Sequence, residues 1–198
     1  MKGLTMRRIV LLALAALLLS PAAFAGGKKK AKAPEATAAA TADPAAAAPA
    51  ASENEVHWMS LSQAEEAMKT VPKKVWIDIY TDWCGWCKVM DKKTYTNPHV
   101  IQYLNEHFYA IRLNAEQKEP ISFMGKQLDA NQLAASLMQN RMSYPTSVFM
   151  TENFQNPSPI PGYQDIANME MILKYFGQEL YKKVPFQRYQ QEFKATWL

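Results

Sequence analysis

Cysteine is nearly absent from this chain: 198 residues hold two, Cys84 and Cys87. Histidine is almost as scarce, with His57, His99 and His107, none in a tight pair with the cysteines. A structural zinc site needs a tetrahedral ligand set that this inventory does not supply. A disulfide across so short a loop would constrain the unfolded chain little, which makes the pair a poor structural staple. Neither sign of charge dominates. Of 22 Lys and Arg, three lie in the first 25 residues, leaving 19 against 18 Asp and Glu. That balance removes any electrostatic case for nucleic acid binding. Long apolar runs are missing too, apart from Ile9 to Leu19. No cysteine follows that run, which excludes a bacterial lipoprotein anchor. Methionine is present but forms no regular Met-x-Met repeat or His-Met cluster, so Met90, Met124, Met138, Met142 and Met150 read as core rather than copper ligands.

The single apolar run has the design of an export leader. Lys2, Arg7 and Arg8 precede it, Ser20-Pro21 breaks it, and Ala23-Phe24-Ala25 offers a small-x-small cleavage site. The run is too short to span a bilayer comfortably, so cleavage after Ala25 is expected, with no stable membrane insertion afterwards. Residues 1–25 are thus assigned to a signal peptide and residues 26–55 to an Ala/Pro/Lys-rich disordered linker. In the linker, Pro34, Pro44 and Pro49 interrupt every alanine run, and almost nothing can form a core. Residues 56–198 make one domain. The expected location is periplasmic or otherwise exported, where a lone pair of cysteines has nothing else to mispair with.

The chemistry concentrates in Trp83-Cys84-Gly85-Trp86-Cys87-Lys88. Two cysteines three apart can close a small disulfide or open to a dithiol. If a helix starts at Cys84, its free N–H groups and positive dipole end favour thiolate over thiol. A thiolate attacks disulfides, and a second cysteine one turn later can resolve the mixed disulfide. The pattern therefore points to thiol–disulfide exchange.

Around this motif the periodicity predicts helices over residues 61–70, 84–93, 97–107, 131–141 and 169–182. It predicts strands over 74–80, 108–113, 146–151 and 160–163, with a small hairpin at 121–123 and 126–128. Strands alternating with helices imply an α/β sheet covered on both faces. The aromatic C-terminal region, with Tyr175, Tyr181, Phe186, Tyr189, Phe193 and Trp197, is expected to pack back on the domain rather than stay exposed.

This order resembles the thioredoxin fold, a central mixed sheet with helices on both faces. The resemblance rests on Asp78, on the WCGxCK frame of residues 83–88, on Arg112, on Tyr144-Pro145-Thr146 and on Gly162, over about residues 60 to 182. It departs in Trp86, where the family has proline. It also departs in an insert over 114–143, before the expected cis-proline loop, and in a tail over 184–198. The chain looks more like exported thioredoxin-like proteins of the DUF255 or Thioredoxin_7 type than like cytosolic thioredoxin.

The resemblance implies a protein-disulfide reductase that needs no cofactor beyond its own cysteines. Cys84 is the expected exposed nucleophile, Cys87 the buried resolving thiol and Asp78 its proton acceptor. Trp83, Gly85, Trp86, Tyr144, Pro145 and Thr146 are the expected substrate-binding residues. A cis bond before Pro145 would present the Tyr144 backbone to an extended client. Trp83 is expected to pack partly into the domain, and Trp86 to make the better contact. Arg112 either pairs with Asp78 or ends its strand in solvent. Partners are protein thiols and disulfides, and a reductase outside the cytosol requires a membrane electron donor. Two alternatives remain open: a disulfide oxidase or isomerase, since Trp86 and Tyr144 stand where redox potential is tuned, and a binding module acting as client holdase or Cu(I) chaperone.

Overall fold

The computed structural model describes residues 54–197. The expected leader, and the expected linker as far as residue 53, lie outside the described residues. Among the described residues there are seven strands: β1 (Trp58–Met59), β2 (Lys74–Tyr80), β3 (Phe108–Asn114), β4 (Ile121–Phe123), β5 (Lys126–Leu128), β6 (Thr146–Thr151) and β7 (Gln155–Pro161). The helices are α1 (Leu61–Met68), α2 (Gly85–Lys93), α3 (Pro98–His107), α4 (Ala130–Leu137), α5 (Ile166–Gly177) and α6 (Phe186–Glu192).

Five strands form one mixed sheet in the order β1-β3-β2-β6-β7. β2 runs parallel to β3 and antiparallel to β6, so it lies at the centre. Its sequence Val75-Trp76-Ile77-Asp78-Ile79 alternates between two cores, because successive side chains leave a strand on opposite faces. Val75, Ile77 and Ile79 join Leu61, Ala64 and Met68 of α1 and Leu133, Ala134 and Leu137 of α4. Trp76 joins Met90 of α2, Val100, Ile101 and Leu104 of α3, and Met169, Ile172 and Leu173 of α5. Asp78 stands on the Trp76 face, which α2 helps to cover. This is the thioredoxin-like α/β architecture expected from the sequence.

Several boundaries differ, each for a local reason. β1 is only two residues long and carries no readable alternation. β7 covers Gln155–Pro161 rather than 160–163, and Pro157, Pro159 and Pro161 disguise it. Proline is tolerated on an edge strand because an outward-facing position needs no N–H, and it blocks further strand pairing there. α4 ends at Leu137 instead of residue 141, where Gln139 and Asn140 adopt positive φ. The helix expected over 169–182 is α5, then a separate 3-10 turn (Leu180–Lys182), because Glu179 takes a left-handed conformation between them. The hairpin β4–β5 forms its own small sheet within the insert.

The C-terminal region folds back, with Phe186, Tyr189, Phe193 and Trp197 packed against the α3/α5 core. Its anchor is Glu170, fully buried on α5, which accepts hydrogen bonds from the Thr196 and Trp197 amides at 2.7 and 2.9 Å. Met90, Met138 and Met150 are buried, but Met124 and Met142 are exposed, contrary to a uniform core role.

Candidate functional site

The site is built at the start of α2. Cys84 is the N-cap, with extended backbone, and its Sγ accepts the Cys87 N–H at 3.1 Å. That bond satisfies one of the helix's orphan donors and directs positive partial charge at sulfur. Cys84 and Cys87 are joined as a disulfide, with Cα atoms 5.3 Å apart. Both cysteines are 3% exposed, so Cys84 is not the freely exposed residue the sequence suggested. With Sγ tied to Cys87 and to the helix amide, and exposed tryptophans on either side, little of its surface reaches solvent.

Trp83 and Trp86 are 66% and 61% exposed. The expectation that Trp83 packs into the domain is therefore corrected. Its indole instead leans over the surface, donating through Nε1 to Glu116 Oε2 at 2.9 Å and meeting Tyr144 edge-on at 5.8 Å. Trp86 rests against Tyr163 at 5.3 Å. Gly85 opens α2 on the exposed side, with open space where a side chain would stand. The Tyr144–Pro145 peptide is cis. The Pro145 carbonyl accepts the Gly162 amide at 2.8 Å, and Thr146 Oγ1 donates to the Ser143 carbonyl at 2.7 Å. Thr146 is buried, and its hydroxyl ties it to the loop.

Asp78 is buried under α2 with few partners. Tyr95 Oη donates to its Oδ1 at 3.0 Å. Arg112 Nε lies 3.4 Å from Oδ2 but makes no hydrogen bond, because the guanidinium is turned toward Asp91 on α2. Arg112 Nη2 donates to both Asp91 oxygens, at 2.6 and 2.8 Å, and the guanidinium lies over the rings of Tyr80 and Trp58. Burial pushes the Asp78 carboxyl up to about 6; Arg112 and Tyr95 oppose the shift, while Asp91 adds to it. A carboxyl titrating there can hold or release a proton near neutral pH.

The structure thus gathers Cys84, Cys87, Trp83, Gly85 and Trp86 on one helix start, and Asp78 on the sheet face beneath that helix. Sequence reasoning missed Glu116, Tyr163, Tyr95 and Asp91. Asp91 had a signal, since it sits one turn after Cys87 on the same helix; Tyr95 had none, lying in a turn whose direction only the fold sets. Among the described residues no group of three or more His, Cys, Asp or Glu is placed to hold a metal ion. Among them too, no helix is long and apolar enough to cross a membrane. A cavity of about 380 Å³, lined by Lys74, Phe149, Tyr175 and Tyr181 among others, includes none of the expected site residues.

Fold and site together define a thioredoxin-fold protein with a closed CGWC disulfide at the start of a helix. A family model described as "Thioredox_DsbH: Protein of unknown function, DUF255" matches residues 47–180, more than half of the chain, and the chain belongs to that family. A thioredoxin-fold protein from Helicobacter pylori superposes with a TM-score of 0.56 at 16% identity, covering 71% of this chain and 92% of that one. A structure described as "DsbH Oxidoreductase" gives a TM-score of 0.49 at 17% identity, covering 63% of this chain and 85% of that one. In sequence, an uncharacterized Caenorhabditis elegans protein, B0495.5, is 28% identical over 112 residues, 56% of this chain. The match spans 14% of that protein's length.

Proposed function

We propose that this chain is an exported thiol–disulfide oxidoreductase that reduces protein disulfides by direct exchange. The observation that carries the reading is the Cys84–Cys87 pair at the N-terminus of α2, with the Asp78 carboxyl buried on the sheet face that α2 covers and pushed up by that burial. In the dithiol form, the Cys87 amide and the helix dipole favour the Cys84 thiolate. Cys84 Sγ attacks one sulfur of a client disulfide, and the other sulfur leaves as thiolate. The Cys87 thiol gives its proton to ionised Asp78, and the Cys87 thiolate attacks Cys84 Sγ. The Cys84–Cys87 bond forms, the bond to the client breaks, and the client departs with both electrons of the dithiol.

No cofactor enters, because the two sulfurs carry the electrons. Trp83, Trp86 and Tyr144 supply an apolar rim for an extended client beside the disulfide, with Pro145 and Thr146 shaping the loop that presents it. The leader-like N-terminus supports a periplasmic or otherwise exported setting, where a membrane electron donor would return the protein to its dithiol form.

Two measurements test this. A Cys87→Ser chain should trap client proteins as mixed disulfides on Cys84, and a Cys84→Ala chain should trap none. Equal capture by both would make the protein a holdase. Equilibration with glutathione or dithiothreitol mixtures gives the direction: a potential near about −270 mV supports a reductase, and one toward roughly −120 mV makes it an oxidase or isomerase.

A further inference from the structure

Two carboxylates compete for one cation beside the redox helix. Arg112, reaching across from β3, lies within ion-pair range of both Asp78 and Asp91. Asp91 takes both of the hydrogen bonds, and Asp78 is left with a guanidinium nitrogen at 3.4 Å that bonds to neither of its oxygens. The hydrogen bond that Asp78 does have comes from Tyr95, in the turn that ends α2. Asp78 is therefore faced by a carboxylate from α2, a phenol from the following turn and a guanidinium from β3. From β6 it is faced only by the uncharged Ser147, opposite it in register.

We propose that Asp91 and Tyr95 are positioning residues for the proton transfer from Cys87: Asp91 draws the Arg112 guanidinium off Asp78, Tyr95 holds the carboxylate, and the two control in opposite directions when Asp78 takes the proton. This rests on the reading of Asp78 as the acceptor. Asp91 lies four residues after Cys87 on α2, so the residue that diverts the cation rides on the element that carries the resolving thiol. If Asp91 were neutral, the guanidinium would be free to turn to Asp78 and favour its charged form. If the Tyr95 hydroxyl were gone, the charged form would lose its hydrogen bond. Burial and the neighbouring Asp78 raise the Tyr95 phenol well above its ordinary range, so it stays a donor throughout. Both variants are mild. Asp91 is partly exposed, and Tyr95→Phe keeps the ring packed against Trp58 and Trp76.

The test is Asp91→Asn and Tyr95→Phe in the full chain, each read two ways. The Asp78 carboxyl carbon is titrated by NMR in the disulfide form, where no exchange is needed. The release of the second thiolate from an aromatic disulfide reagent, which reads the Cys87 step, is followed against pH in the dithiol form. Asp91→Asn should move both midpoints to lower pH and Tyr95→Phe to higher pH, each by about half a pH unit or more, the size expected for one hydrogen bond. Merely structural roles would leave the midpoints in place. Unmoved NMR midpoints, or midpoints moving the same way, overturn the inference. Opposed NMR midpoints with an exchange profile that ignores them overturn it as well, and trace the failure to Asp78 not being the acceptor. No exchange by the unsubstituted chain at any pH removes the oxidoreductase reading itself.

Discussion

Replacing Asp78 with asparagine should make this protein more stable at neutral pH and no more stable in acid. The buried Asp78 carboxyl is raised from an ordinary 3.8 to about 6, by burial first, against the pull of Arg112 and Tyr95. At low pH the group is protonated whether the chain is folded or not, and it exacts no ionisation penalty. Between about pH 4 and pH 6 the unfolded chain releases the proton while the folded chain keeps it, so stability falls as pH rises. Above that window the folded state carries the full cost of a buried charge, about 3 kcal/mol for a shift of this size.

Asparagine removes the charge with little else disturbed. Its Oδ1 can still accept from Tyr95, and Arg112 keeps Asp91 as its partner. The new amide nitrogen takes the place of Oδ2, which accepts no hydrogen bond from the Arg112 Nε at 3.4 Å, so no bond is lost there. The assay is urea unfolding of both disulfide-intact proteins from pH 4 to pH 8. The gap should open through pH 5–6 and reach about 2–3 kcal/mol in favour of Asp78→Asn. A pH-independent gap, or an asparagine variant less stable at pH 8, would refute the argument that burial dominates at this carboxyl.

Other perturbations probe the surroundings. Gly162 holds φ at +91° with open space around a would-be Cβ, so Gly162→Ala should cost about 1–3 kcal/mol through backbone strain alone; an unchanged urea midpoint would show that the loop relaxes freely. Burial pushes the Glu170 carboxyl up, but Lys174, Thr196 and Trp197 together hold it down at about 2. Glu170→Gln should weaken that anchor by about 1.5–3 kcal/mol, and trypsin should then cut faster at Lys194; equal cleavage rates would mean the aromatic packing suffices. Trp86→Ala removes an exposed ring, so stability should change by no more than about 0.5 kcal/mol. Reduction of a protein client should fall further than reduction of a small disulfide, and a parallel fall in both would place Trp86 outside client contact.

Much of the site was legible because its residues are adjacent in the chain. Cys84, Trp86 and Cys87 fall in the first turn of α2 with Trp83 just before its cap, and a helix start has a fixed geometry. Asp78 was legible as an oddity, a carboxylate on a strand of apolar neighbours. Arg112 was left open between pairing and exposure; it does lie in ion-pair range of Asp78, but its hydrogen bonds go to Asp91, which the sequence did not suggest. Trp83 was misjudged because its partners, Glu116 and Tyr144, come from the insert and from the cis-proline loop. β7 was misplaced because its prolines argue against a strand until its edge position is known.

The sequence by itself determined the class of chemistry and the fold: a single cysteine pair at helix spacing, on a chain whose apolar residues alternate with periods of two and of three to four. These are local properties, set by which side chains neighbour one another along the backbone. Only the tertiary structure decided how the pair is sheltered and how the buried Asp78 carboxyl is tuned. Asp78, Asp91, Tyr95 and Arg112 come from a strand, a helix, a turn and a second strand, and the pull on a buried proton depends on distances between such elements that no local pattern encodes.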